Sequence, residues 1–296
     1  MFAVYKKELK SYFTSVIGWV FIAFFLVLAG LFFMVYNLMN GYTNFSLVLS
    51  NVELFFILLL VPVLTMRIIA EENRQKTDQL LYTSPVSITK IIFGKYLALL
   101  TLFGIAMLIV CLYPLILSGL VKQVATGTET VDFAIAYGSI LGFFLLGAAY
   151  IAIGMFISSL TESQVIAAVA SGVIMIFTYL MTGLANLLPS GHTFVFWFLA
   201  VLILVLSVGL YYWIHNGWLA AIIGVLAEAA LVILFLLKTE SFDGLIGNVL
   251  GQISITDRYQ NFTYGIFDVS ALVYYISVAF LFVFITIQRI KKKRFN

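Results

Sequence analysis

The chain has 296 residues, of which 63% are hydrophobic and 10% charged, with a formal net charge of +3. A soluble domain covers its surface with roughly 25% charged residues, so this composition excludes that class and places the chain in a membrane. A single cysteine, Cys111, excludes an intramolecular disulfide framework and a cysteine metal site, and His192 and His215 alone offer no histidine cluster.

Uninterrupted apolar runs of about 20 residues predict transmembrane helices, because barrel strands would alternate over about 10. Residues 1–15 come first. Phe2, Tyr5, Leu9, Tyr12 and Phe13 recur at helical spacing, and Lys6, Lys7 and Lys10 take the other face. That pattern reads as a helix lying in the membrane interface, or as the basic flank of the first span. Spans follow at 17–36, 49–70, 91–119 and 133–160. Glu53 and Arg67 sit near the two ends of the second, and Lys95 near the start of the third. Pro62 and Pro114 lie inside spans and are expected to kink them. Between Ser163 and Ala227 no formal charge occurs, a stretch too long for one helix. Polar nodes at 186–192 and at His215-Asn216-Gly217 divide it into spans at 164–187, 193–214 and 218–237. The eighth span is 269–288. The expectation is an all-α integral membrane protein, a single polytopic bundle over 1–296 with both termini on one side and an extracytoplasmic loop at 239–268.

Thirteen of the 16 Lys and Arg fall in the N-terminal segment, around the loop after the second span, or in the C-terminal tail. Only Lys122, Lys238 and Arg258 fall elsewhere. The positive-inside bias therefore puts both termini in the cytoplasm. Trp19, Trp213 and Trp218 fall near expected cytoplasmic ends and Trp197 near an outer end, as interfacial aromatics do.

The loop 71–90, EENRQKTDQLLYTSPVSITK, is longer than most connections within a bundle. Glu71, Glu72, Arg74, Lys76 and Asp78 form a mixed-charge cluster. Thr77 and Asp78 suit the start of a short helix, by capping and by the helix dipole. Leu80, Leu81 and Tyr82 then present an apolar knob, and Ser84-Pro85 closes the turn. One turn of helix cannot bury such a knob, which points to a protein partner. The plainer reading is a solvated hairpin that reverses the chain.

The run Thr65-Met66-Arg67-Ile68-Ile69-Ala70-Glu71-Glu72, with Arg74, Thr77, Leu80-Leu81, Ser84-Pro85-Val86-Ser87 and Gly94-Lys95-Tyr96-Leu97-Ala98, resembles the signature of ABC-2-type permeases, the membrane subunits of ABC exporters. It departs from that pattern at Asn73, where a basic residue is usual, and at Lys76, where glycine is common. The tail Thr256-Asp257-Arg258-Tyr259-Gln260-Asn261-Phe262, with Gly265-Ile266-Phe267-Asp268 and Tyr274-Tyr275, resembles the gliding-motility-type branch, in which an outer amphipathic segment precedes the last span. The resemblance covers residues 2–164 and 254–295; the sixth and seventh spans carry nothing specific to it.

The resemblance implies a multi-pass permease of the cytoplasmic membrane. Its coupling helix, within Glu71, Glu72, Arg74, Thr77, Asp78, Leu80, Leu81 and Tyr82, would dock on a separate ATPase subunit, with a second permease copy or a related permease completing the route. No G-x-x-x-x-G-K-[ST] phosphate loop occurs in the sequence, so no cofactor is expected on this chain, ATP and Mg belong to the partner, and the chain is not itself an enzyme. Nucleic acid is not expected as a partner, and lipid is.

Glu228 falls mid-way along the seventh span. A carboxylate at that depth faces the protein interior or a wet cavity. It either lines a translocation route or packs against a neighbouring helix, and Gly224 and Ala227 make that face suited to close packing. Glu53, nearer the outer surface, either has the same role or rests at the interface. The alternative classes are a secondary transporter, which would show matching interrupted helices in two repeats, and a membrane enzyme, which needs clustered acid–base groups. Neither requires the charged cytoplasmic knob.

Overall fold

The computed structural model describes residues 1–77, 86–124, 130–189, 191–214 and 217–295, and among these it is helical with no strand. Seven segments are long and apolar enough to cross a membrane: Val16–Met39, Ser46–Gln75, Ile88–Lys122, Phe133–Ser158, Gln164–Met181, His192–Tyr211 and Val269–Lys293. A shorter apolar helix, Ala221–Leu237, stands where the seventh of the eight expected spans lies.

The chain groups into two compact units, residues 1–179 with 255–296, and residues 180–254. The first unit opens with α1 (Phe2–Thr14) and α2 (Val16–Phe33), which runs on as a π-helical turn, Met34–Met39. The second span is segmented. It comprises α3 (Ser46–Phe55), a π turn (Phe56–Leu60), α4 (Val61–Thr65) and, after a break, α5 (Ala70–Gln75). Pro62 explains the π turn: its ring clashes with the carbonyl four residues earlier, and widening the helix there relieves the clash. The third span likewise divides into α6 (Ile88–Val110) and α7 (Tyr113–Val124), with Pro114 in the first turn of the latter. Then come α8 (Phe133–Ser158), capped by Asp132 through the Ala134 and Ile135 N–H groups, and the start of α9 (Gln164–Leu187). After residue 254 the first unit resumes with α13 (Asp257–Thr263) and α14 (Val269–Phe295).

Helix α8 is the centre of this unit, packing against α4, α6, α13 and α14. Between helices in lipid no hydrophobic driving force remains, so close approach of backbones matters most. Gly154 makes one such approach: a Cβ there would come within 2.3 Å of Thr65 Oγ1. Around α8 the rings of Phe25, Phe56, Phe103 and Phe143 form one cluster, with Phe56 and Phe103 centroids 4.9 Å apart and Phe56 and Phe143 5.0 Å apart. Each such pair contributes about 0.5–1.5 kcal/mol beyond its burial. Phe262 of α13 lies against Gly142, and the Tyr275 hydroxyl of α14 donates to Ile255 O at 2.9 Å. The segment before the last span is thereby a packed part of this unit.

The second unit holds α10 (His192–Ile214), α11 (Gly217–Leu237), a 3-10 turn (Thr239–Phe242) and α12 (Leu245–Ile253). The helices α10 and α11 form an antiparallel hairpin in which Gly224 faces Ser207. A small core of Val195, Leu231, Phe242 and Ile246 closes one end. There the Asp243 carboxylate accepts from the His192 backbone N–H at 2.8 Å, capping α10. Most of α10 is exposed.

Candidate functional site

The break in the second span is where charged and polar groups converge. Between Thr65 and Ala70 the chain leaves the α-helix, which frees backbone groups that need other partners. The Tyr12 hydroxyl donates to Leu64 O at 3.0 Å, Ser158 Oγ donates to Met66 O at 3.0 Å, and Lys95 Nζ donates to Ile68 O at 3.0 Å. Ser158 Oγ also accepts from the N–H groups of Ile69 at 3.3 Å and Ala70 at 3.1 Å. Three other elements, α1, α6 and α8, thus hold the break in shape.

Lys95 is the hub. Its side chain is 1% exposed, and its ammonium reaches Glu72 Oε1 at 2.8 Å and Glu8 Oε1 at 3.0 Å besides the Ile68 carbonyl. Three donors meet three acceptors, so the buried cation is fully satisfied. Lys7 lies 3.6 Å from Glu72 and 3.7 Å from Glu8, on the exposed side of the pair. The neighbouring Gly94 lets α1 come this close, since a Cβ there would sit 3.0 Å from Met1 O and 3.3 Å from Tyr5 N. The Gly94-Lys95 dipeptide therefore has a structural explanation. Glycine admits α1 against α6, and lysine ties α1 to the helix that begins Ala70-Glu71-Glu72.

On the other side of Tyr12, Arg67 donates to Ser15 Oγ at 3.2 Å and Ser11 Oγ at 3.3 Å, with its guanidinium 5.3 Å from the Tyr12 ring centre. Burial pushes the Tyr12 hydroxyl well above its usual value, and the Arg67 charge pulls the other way. Glu71 interacts with Gln75 and with Gln164 at the start of α9, and lies 3.5 Å from Arg74. Asn73 donates to Thr161 O at 3.4 Å and accepts from Lys293 Nζ at 3.0 Å. Together these side chains border a polar cavity of about 400 Å³ lined by Lys7, Glu8, Arg67, Glu71, Glu72 and Thr77, among others.

Of the expected coupling residues, the structure brings Glu71, Glu72, Arg74 and Thr77 to this junction. Asp78, Leu80, Leu81 and Tyr82 lie outside the described residues, as does His215. Lys76, one of the two departures from the resembled pattern, ends α5 with φ at +55°, the left-handed conformation that favours glycine. The buried face of α1 is Val4, Glu8 and Tyr12, whereas Phe2 is 73% exposed. Tyr12 is shared between this buried face and the aromatic face expected from the spacing, and the buried face turns toward the cation on α6.

Glu53 is 7% exposed within the first unit, where α3 packs against α8 and α13. Among the described residues the Glu53 Oε1 meets no hydrogen-bond partner. Burial raises the Tyr259 hydroxyl well above its usual value, with the Glu53 charge adding to the effect. Glu228 is half-buried on α11, one turn from Gly224 on the side that meets α10. Among the described residues no group of His, Cys, Asp and Glu is arranged to hold a metal ion.

Glu8 and Ser158 were not singled out by the sequence, and Tyr12 only as one of the aromatic residues at helical spacing in α1. Glu8 carried a signal, being the lone acid of α1 and one turn from both Val4 and Tyr12. Ser158 carried none, since nothing marks a serine near a helix end as the partner of a chain break 88 residues away.

A family model described as ABC-2 family transporter protein matches residues 33–237. The match runs through the hairpin of the second unit and stops short of α13 and α14. No curated protein and no solved structure matches the chain.

Proposed function

The chain belongs to the ABC-2 family of transporter proteins, and from that premise we propose that it is the permease subunit of an ATP-driven exporter of the cytoplasmic membrane. A separate ATPase subunit docks on the segment that follows α5, with residues 71–82 as the coupling element. ATP and Mg bind that partner. A second permease body, identical or related, completes the route, and both termini share the cytoplasmic side with the docking segment. The tail 256–275 suits the gliding-motility-type branch.

One observation carries this reading: the helix bearing Glu71 and Glu72 is tied through a buried Lys95 to both α1 and α6. A push on the segment after Gln75 therefore reaches three elements at once. The junction has a buried Lys95 ammonium held by the buried Glu8 and the half-buried Glu72, with Lys7 beside both, an arrangement that resists being pulled apart, because losing the carboxylates strands a buried charge. It suits transmission of displacement between packed elements.

Purification from native membranes under stabilising detergent tests the reading. The wild-type protein is expected to bring down a nucleotide-binding polypeptide, and an L80A/L81A variant is expected to lose it. A folded wild-type protein that brings down none would favour a transporter without an ATPase.

A further inference from the structure

Glu53 lies inside the span Ser46–Gln75, about 10 Å along the helix from its start at 1.5 Å per residue, within a hydrocarbon layer ~30 Å thick. Ser50 and Glu53 are one turn apart on α3 and share a face. That face turns into the bundle, where Glu53 is more than nine-tenths buried and its Oε1 has no partner among the described residues. Four other helices supply the surroundings. Tyr150 on α8, Tyr179 on α9, Tyr259 on α13 and Tyr275 on α14 all lie within electrostatic reach of the carboxyl. Their hydroxyls are engaged elsewhere: Tyr150 lies 3.1 Å from Thr178 Oγ1, Tyr275 donates to Ile255 O at 2.9 Å, and Tyr259 lies beside Ser50.

No cation balances this carboxyl. Among the described residues no Lys, Arg or His forms an ion pair with Glu53. The elements packed on α3 do not bring one. Helix α2 and the π turn that follows α3 carry no titratable group, and α8 carries only tyrosines. The π turn at the end of the first span brings Tyr36, whose hydroxyl donates to Asn51 Oδ1 at 3.1 Å. Helix α13 carries Asp257 and Arg258, but the Arg258 guanidinium lies over the Tyr274 ring, 4.2 Å from its centre, and reaches Ser270 Oγ at 3.5 Å. Water has little access, because α13 is fastened over this region by Ser46 Oγ, which donates to Thr263 O at 3.1 Å. An ionised carboxylate without a counter-ion is expensive in a protein interior and in lipid alike. A proton removes the charge, needs no cavity and asks for no ligands beyond the carboxyl itself. We propose that Glu53 is a proton-binding site, held beneath α13 in the interior of this unit. The site stands apart from the ATPase-docking segment and does not rest on that reading.

Dicyclohexylcarbodiimide tests the proposal, because this apolar reagent reacts with a protonated carboxyl and not with an ionised one. The acid proton passes to a carbodiimide nitrogen while the carboxyl oxygen adds to the central carbon. The full-length protein would be treated in phosphatidylcholine nanodiscs at neutral pH, digested and analysed by mass spectrometry. The expected result is an adduct on Glu53 itself. Infrared difference spectra of wild type against Glu53→Gln reach the site whether or not the reagent does. They should show a protonated-carboxyl C=O band in wild type that is lost in the variant. An ionised-carboxylate band from Glu53 in its place, or the absence of both the adduct and the C=O band, would overturn the proposal. So would protection of Glu53 from the reagent by sodium chloride and not by choline chloride, which would assign the site to a metal cation.

Discussion

The Lys95 ammonium lies 2.8 Å from a Glu72 oxygen and 3.0 Å from a Glu8 oxygen, joining three segments that are far apart in sequence. The lysine is fully enclosed while both carboxylates are nearly so. In that setting the cluster's net contribution to stability is modest, but removing the carboxylates is costly, because the Lys95 ammonium then has no counter-ion where water cannot replace one, whereas Glu8 and Glu72 also have Lys7 beside them.

Glu8→Gln with Glu72→Gln should therefore destabilise the protein by about 3–5 kcal/mol. This would be read as a large fall in the thermal unfolding midpoint of the detergent-solubilised protein. Adding Lys95→Met to the pair should recover most of the loss, since the stranded charge is then gone. A Glu8→Gln/Glu72→Gln protein as stable as wild type would show that the three side chains do not meet as described.

Ser158→Ala should cost about 1–3 kcal/mol, the usual range for leaving buried polar groups without partners. It removes the acceptor for two N–H groups and the donor to Met66 O. Hydrogen exchange should rise at Ile69 and Ala70 in particular. Ser159→Ala is the control, because its hydroxyl bonds only within its own helix, to Phe156 O.

Lys76→Gly should stabilise the protein by about 0.5–1 kcal/mol. The left-handed backbone at Lys76 costs a residue with a Cβ about 1–2 kcal/mol, and glycine avoids that cost while losing part of the gain to its freer unfolded state. Lys76→Ala keeps the Cβ and should give no gain. Equal effects of the two substitutions in a thermal scan would contradict the conformational explanation.

Asp268 holds the start of α14. Its carboxylate accepts from Asn261 Nδ2 at 2.8 Å and from the N–H groups of Ser270 and Ala271. The Asn261 bond above all, with the two backbone bonds and the Arg258 charge, holds this carboxyl below its ordinary value of 3.8. A depressed carboxyl stabilises the folded state above its unfolded value, and the contribution fades as pH falls through the lower, folded one. The stability gap between wild type and Asp268→Ala should therefore be present at pH 7 and narrow below about pH 4. A gap that stays constant down to pH 2 would remove the charge from the explanation.

The helices were legible in the sequence because lipid imposes a simple rule: where charge is absent for 20 residues, a helix crosses. The bounds of α9 follow directly from Ser163 and the polar node after Leu187. The segmentation of the second span was half legible, in Pro62 but not in the turn after Thr65, whose cost is offset by side chains on α1, α6 and α8 that no local pattern announces. At the junction, the Glu71-Glu72 and Gly94-Lys95 pairs were visible as a motif. What they touch was not, because Glu8 looks like one more charge on a surface helix until Gly94 is seen to bring that helix into contact. The cover over Glu53 was not legible either, because it comes in part from α13, which returns from the far end of the chain.

The central claim is that an ATPase subunit docks on the segment after α5, and site-specific photocross-linking in native membranes tests it most directly. A photoreactive residue would replace Leu81 in one variant and the exposed Tyr264, on α13's side of the protein, in another. A cross-linked product containing a nucleotide-binding polypeptide from position 81 and none from position 264 is the predicted result. No such product from position 81, or equal products from both positions, would contradict the account.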